Sequence, residues 1–135
     1  MSEGATPEPE AINQAGFEAF SARSGKEGPV TMLNLLRFKP EGGRERYEEY
    51  GAAVAPLLER VGARVVFAGE SAPALLGRGE WDLVLLVEYP SRKAFLEMIG
   101  STDYQAIGHL RTEALEEGEL HPLDAASELI PARDS

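Results

Sequence analysis

Two short segments limit the fold more than anything else in this chain. Val30–Phe38 (VTMLNLLRF) and Trp81–Tyr89 (WDLVLLVEY) are apolar at consecutive rather than alternate positions. Successive side chains of a β-strand point to opposite faces, so a strand with one face in water alternates apolar with polar. Continuous apolar character means that both faces are covered. The other elements must then supply two covers for one sheet, or a second molecule must supply one of them.

The segments between them can supply one. Arg44–Val61 predicts a long helix, with Tyr47, Tyr50, Val54, Leu57, Leu58 and Val61 inside roughly 80° of arc. Glu45, Glu48, Glu49, Glu59 and Pro56 lie on its outer side, and Gly62 supplies the stop. Ala63–Gly69 predicts a second strand, separated by a Pro- and Gly-containing loop from the strand at 81–89. Ser91 is placed to cap a helix through Phe95, Met98 and Ile99 that stops at Gly100; Ser101 or Thr102 caps another over Asp103–Glu116. A last strand, about Glu117–Leu123, contains Pro122 and so belongs at a sheet edge or ends there. Ile12, Ala15, Gly16, Ala19 and Phe20 recur at helical spacing and predict a short helix over Pro9–Arg23.

The order is helix, then β-α-β-β-α-β with its second helix split in two. That is the ferredoxin-like plan of the α+β class: a four-stranded antiparallel sheet with helices on one face. The domain is expected over residues 9–123, between a disordered lead-in at 1–8 and a loose acidic tail at 124–135. In this plan the first and third strands, the two apolar ones, are central. The helices cover one face, and a second copy packed sheet to sheet is the simplest cover for the other. A homodimer is therefore expected.

Charge and composition restrict the function classes. The chain has 135 residues and a formal charge of −10, with no cysteine. Residues 1–28 carry −3, residues 29–111 carry −1 and residues 112–135 carry −6, so the acidity belongs to the flanks. Without clustered Lys and Arg, binding to a nucleic-acid backbone is not expected. The absence of cysteine removes disulfides, thiolate metal sites and thiol nucleophiles. The N-terminal MSEGATPEPE lacks a basic start and an apolar stretch, and the longest apolar run, Leu83–Val87, is far too short for a membrane span. A cytoplasmic protein with no membrane contact is the expectation. No dinucleotide fingerprint, Walker loop or nucleophile elbow occurs.

NLLRFK at 34–39, RYEEYGAAVAPLLERVG at 46–62, WDLVLLVEYPSRKAFLEMI at 81–99 and STDYQAIGHLRTEAL at 101–115 resemble the dimeric α/β-barrel superfamily. More narrowly, they resemble its domain-of-unknown-function family 1330. The resemblance implies a ferredoxin-like protomer, a dimer built by sheet-to-sheet contact, and a pocket between sheet and helices. It implies no particular activity. The superfamily includes cofactor-independent monooxygenases, isomerases, stress-response proteins and haem-dependent members, and a shared fold does not choose among them.

The candidate site consists of polar residues placed where the pattern predicts burial. Arg111 falls in the middle of the inward stripe of its helix, with Tyr104, Ile107, Gly108 and Leu115. A guanidinium there must be paired, with Glu88 or Asp82 as the structural partners, or must hold an anionic or carbonyl-bearing ligand. Asn34 interrupts the first strand on the side of Met32 and Leu36, where it needs either cross-strand hydrogen bonds or a ligand oxygen. Glu88 is either an ion-pair partner of Arg37 or Arg111, or a general base with a pKa raised by burial.

His109 lies about 140° from Tyr104 on the polar side of its helix, and acts as a base only if other elements build a cleft around it. His121, twelve positions on, shares no tight ligand spacing with it, so neither metal nor cofactor is expected. In the resembling monooxygenases Asn, Trp and Arg surround an aromatic substrate, and Asn34, Trp81 and Arg111 match those residue types. Tyr47 and Tyr50 on the long helix are core residues or substrate contacts, and Arg37 is a further substrate-binding candidate. Two functions remain open: a cofactor-independent enzyme acting on a small aromatic or carbonyl compound, or a non-enzymatic small-molecule-binding or stress-associated dimer.

Overall fold

A computed structural model describes residues 10–23 and 28–124. The lead-in at 1–8, and all of the acidic tail except Asp124, lie outside the described residues. The elements are α1 (Gln14–Ala22), β1 (Val30–Phe38), α2 (Gly43–Val61), β2 (Arg64–Glu70), β3 (Leu83–Tyr89), α3 (Arg92–Gly100), α4 (Thr102–Ala114) and β4 (Leu115–Leu123). The strands form one antiparallel sheet in the order β2-β3-β1-β4, so the two apolar strands are central and Pro122 lies on an edge strand. This is the expected ferredoxin-like arrangement. Among the described residues no helix is long and apolar enough to cross a membrane.

The sheet has two different faces. Val30, Met32, Asn34 and Leu36 of β1 are buried, as are Val87 and Tyr89 of β3, and these residues meet the helices. Phe20, Leu57, Phe95 and Met98 complete one core cluster with Val30, Met32, Val87 and Tyr89. Leu36, Ala114 and Leu115 form a second, flanked by Phe38 and Tyr47. On the opposite face the register sets Phe67, Leu86 and Leu33 in one row and Gly69, Val84 and Leu35 in the next. Those leucines and Val84 are only half-buried, and Phe67 is 56% exposed.

The helix boundaries follow local chemistry. Ser91 Oγ accepts from the Ala94 N–H and Ser101 Oγ from the Tyr104 N–H, so both expected serines cap their helices. α2 ends at Gly62, whose φ of 81° lies in the left-handed region that glycine adopts without a Cβ penalty. Pro56 is exposed, and α2 runs through it without a break.

Three boundaries differ from expectation. α4 stops at Ala114 rather than Glu116, and β4 starts at once with Leu115. Leu115 is fully buried beside Leu36, which an extended backbone allows, and the Lys39 N–H donates to the freed Ala114 carbonyl at 3.0 Å. Trp81 and Asp82 precede β3 instead of opening it: the Asp82 carboxylate accepts from the Phe38 N–H, and the Asp82 N–H donates to Leu36 O. α1 is shorter than expected and buries only Phe20; Ile12 is 73% exposed.

Gly43 sits where the β1–α2 turn meets the α4–β4 junction. A Cβ there would come within 2.7 Å of the Ala114 carbonyl oxygen and 3.1 Å of Phe38 Cβ. Gly43→Ala is expected to lower stability by about 1–3 kcal/mol through overpacking, read as a lower urea midpoint at unchanged m-value. An unchanged midpoint would show that the junction is looser than described.

Candidate functional site

The inward face of α4 carries Arg111 into the space between α2 and the β4 side of the sheet. Its side chain is 11% exposed. A guanidinium so placed requires a countercharge, and Glu10, from the segment ahead of α1, provides it. Arg111 Nε donates to both Glu10 oxygens, at 2.9 and 3.0 Å, and Nη2 donates to Oε2 at 2.6 Å. Burial disfavours the Arg111 charge, but the hydrogen bonds and charge of Glu10 outweigh it and leave the pKa above the usual arginine value.

Tyr47, Tyr50 and Tyr104 form a connected group beside this pair, while Tyr89 packs edge-on against Phe95 in the other core cluster. Tyr47 and Tyr50 come from α2, three residues apart on one face, with ring centroids at 5.4 Å. The hydroxyls of Tyr50 and Tyr104 hydrogen-bond at 2.9 Å, and the Arg111 guanidinium lies 5.9 Å from the Tyr50 ring centroid. Burial pushes the phenols of Tyr47, Tyr50 and Tyr89 above the ordinary range, while the positive charge of Arg111 pulls each back only in part. Those three phenols therefore keep their protons at neutral pH. They are hydrogen-bonding groups, not bases.

Asn34 is buried on this same side of the sheet, one inward position from Leu36, which pairs with Gly118. Its Nδ2 donates to the Met32 carbonyl at 3.3 Å, within its own strand and not across strands as expected.

Arg111 is thus paired, but with neither acid foreseen. Asp82 bonds the Phe38 backbone, and Glu88 lies on the opposite face of the sheet, 3.1 Å from Arg64. Glu88 therefore pairs with neither Arg37 nor Arg111: strand alternation places it with Thr31 and Leu86 on the helix-free side, away from Arg111, and Arg37, though on that same side, lies six residues along β1 from Thr31. Arg37 bonds Glu117 at 2.6 Å. His109 is exposed on α4, as its position 140° around the helix from Tyr104 implies.

Asn34, Trp81 and Arg111 do not form one set. Trp81 and Arg37 line a groove of about 710 Å³ at the β2–β3 loop, with Phe38, Arg78, Asp82 and Glu116 among its walls; Asn34 and Arg111 are not among them. The candidates divide into an Arg111 centre with Tyr47, Tyr50 and Asn34 on its side of the sheet, and an open groove with Trp81 and Arg37. Sequence reading overlooked Glu10, which lies 101 positions from Arg111 in a Glu- and Pro-rich stretch. Its one signal was the need of a buried Arg111 for an acid. Tyr104 was legible as part of the inward stripe, seven residues before Arg111, but not as a site residue.

The profile of a family described as a domain of unknown function, DUF1330, matches residues 42–120. The chain belongs to the DUF1330 family. The matched span includes α2, α4 and Arg111 but not Glu10. No curated protein matches the chain. A protein of unknown function from Rhodopseudomonas palustris is similar in structure: 35% identity over 86% of this chain and 95% of that one, with a TM-score of 0.80. A dimeric ferredoxin-like protein of unknown function from Jannaschia sp. CCS1 shares the fold at 15% identity, over 73% of this chain and 100% of that one, with a TM-score of 0.60. A Mycobacterium tuberculosis protein matches at 24% identity, over 73% and 95% of the two chains, with a TM-score of 0.56.

The raised phenol pKa values set a pH dependence. Below about pH 10 Tyr47, Tyr50 and Tyr89 are protonated in both folded and unfolded chains; above it, their ionisation is open chiefly to the unfolded chain. Stability is therefore expected to fall as pH rises past about 10, with phenolate absorbance from Tyr47, Tyr50 and Tyr89 emerging together with unfolding. Ionisation of Tyr47, Tyr50 and Tyr89 in the still-folded protein near pH 10 would contradict their burial.

Proposed function

We propose that this DUF1330 protein is a homodimer that binds a small aromatic or carbonyl-bearing molecule at the Arg111 centre. One observation carries the reading: a buried guanidinium surrounded by protonated tyrosines inside an otherwise apolar layer. Folding does not require such a centre, since replacing a buried ion pair by apolar residues is often neutral or stabilising. Perturbed, convergent polar groups in an apolar setting are what a ligand oxygen needs. The tyrosines offer flat surfaces to a ring, and Arg111 offers two parallel N–H donors to an oxygen-bearing substituent.

A cofactor-independent enzyme is the second reading, favoured by the same donors, which would stabilise a developing oxyanion. The binding reading stands first because the expected bases lie elsewhere: Glu88 on the opposite face and His109 exposed on the outside of α4.

Sheet-to-sheet packing is the proposed mode of assembly. The apolar rows of Leu33, Leu35, Phe67, Val84 and Leu86 are flanked by the Arg64–Glu88 and Arg37–Glu117 pairs, an apolar centre with a charged rim. Light scattering at micromolar concentration is expected to give a dimer, and Leu33→Glu a monomer, because a carboxylate would be desolvated in the interface. A monomeric wild-type protein would refute the assembly.

Phenolic, quinone and lactone compounds test the ligand reading in a thermal-shift screen. At least one class is expected to raise the Tm of the wild type by several degrees, and Arg111→Ala to abolish the shift while remaining folded. No shift with any compound would remove the reading.

A further inference from the structure

The Arg111 centre already holds a carboxylate, and its position suggests what a ligand would carry. Glu10 engages Arg111 side-on with both oxygens, the geometry in which a guanidinium recognises a free carboxylate. The seat itself is built by the main body of the fold. Arg111 comes from α4, and β4 contributes Gly118, where a Cβ would come 2.8 Å from Glu10 Oε2 and 2.9 Å from its Cγ. Glycine at 118 leaves the space that the carboxylate fills.

The occupant comes from a far more weakly attached part. Residues 11–19 are exposed, and residues 11–13 form no regular structure. The first buried anchor after Glu10 is Phe20, edge-on to Phe95 at 5.5 Å. Releasing Glu10 therefore exposes little apolar surface, whereas releasing Arg111 would require α4 to leave the sheet.

We propose that the ligand is a small carboxylic acid whose carboxylate takes the place of Glu10, and that residues 10–13, just ahead of α1, are a strap that closes the site when no ligand is bound. The proposal rests on the reading of the Arg111 centre as a ligand site. An internal carboxylate competes with a free one, so the apparent affinity is the intrinsic affinity multiplied by the fraction of molecules in which the strap is open. Removing the Glu10 carboxylate removes the competitor.

Benzoate and phenol, which differ by the carboxylate, serve as probes in calorimetric titrations of the full chain. Glu10→Ala is expected to bind benzoate at least about 10-fold more tightly than the wild type, with no such gain for phenol. Benzoate is also expected to raise the Tm of Glu10→Ala more than that of the wild type, by supplying the missing partner of Arg111. If Glu10→Ala does not fold, Glu10→Gln keeps the shape of the side chain without its charge and carries the same expectation. Equal or weaker benzoate binding by the variant would overturn the strap and leave the ligand reading intact. Arg111-dependent binding of neutral compounds, with benzoate excluded even from the variant, would overturn the carboxylate class alone. If no ring compound binds either protein, the ligand reading fails and the strap fails with it.

Discussion

β1 is hydrogen-bonded along both edges and apolar on both faces, and the rest of the structure is arranged around that fact. Its backbone is satisfied by β3 and β4, leaving only side chains to place. Val30, Met32 and Leu36 close against the helices; Leu33 and Leu35 point the other way, where β3 adds Val84 and Leu86. A sheet built on such a strand has a finished face and an unfinished one. The finished face sets the positions of α2 and α4 and hence of the Arg111 centre. The unfinished face is the basis for the proposed dimer.

The Arg111 centre lies within the finished layer at a point where packing alone would favour carbon. Its groups stabilise one another: Glu10 neutralises the guanidinium, Tyr50 and Tyr104 hydrogen-bond through their hydroxyls, and burial raises the pKa of Tyr50. The outcome is a patch of fixed donors facing the Glu10 carboxylate, and that carboxylate arrives from a segment followed by exposed residues at 11–19. An arrangement in which receptor and occupant differ so much in how firmly they are held is well suited to exchange.

The architecture was legible from the sequence because its signals were local. The apolar stripe of α2, the serines at 91 and 101, the stop at Gly62 and the edge proline at 122 each act through neighbouring backbone, and all operate as expected. The α4–β4 boundary was displaced by Leu115, because burial against Leu36 depends on a strand nearly 80 residues away. The site was legible in kind but not in membership. Helical periodicity placed Arg111 inside and His109 outside, while the pairing of Glu88 with Arg64 and the separation of Trp81 from Arg111 depend on strand register and loop path.

The amino-acid order determines the α+β plan, the two central strands with apolar faces, the inward direction of Arg111 and its need for a countercharge. These follow from period, capping and desolvation, which act over a few residues. Only the tertiary structure decides that the countercharge is Glu10, that Tyr104 meets Tyr50 beside it, and that Gly118 leaves room for a carboxylate. Those outcomes depend on how distant segments cross, and no local rule relates position 10 to position 111.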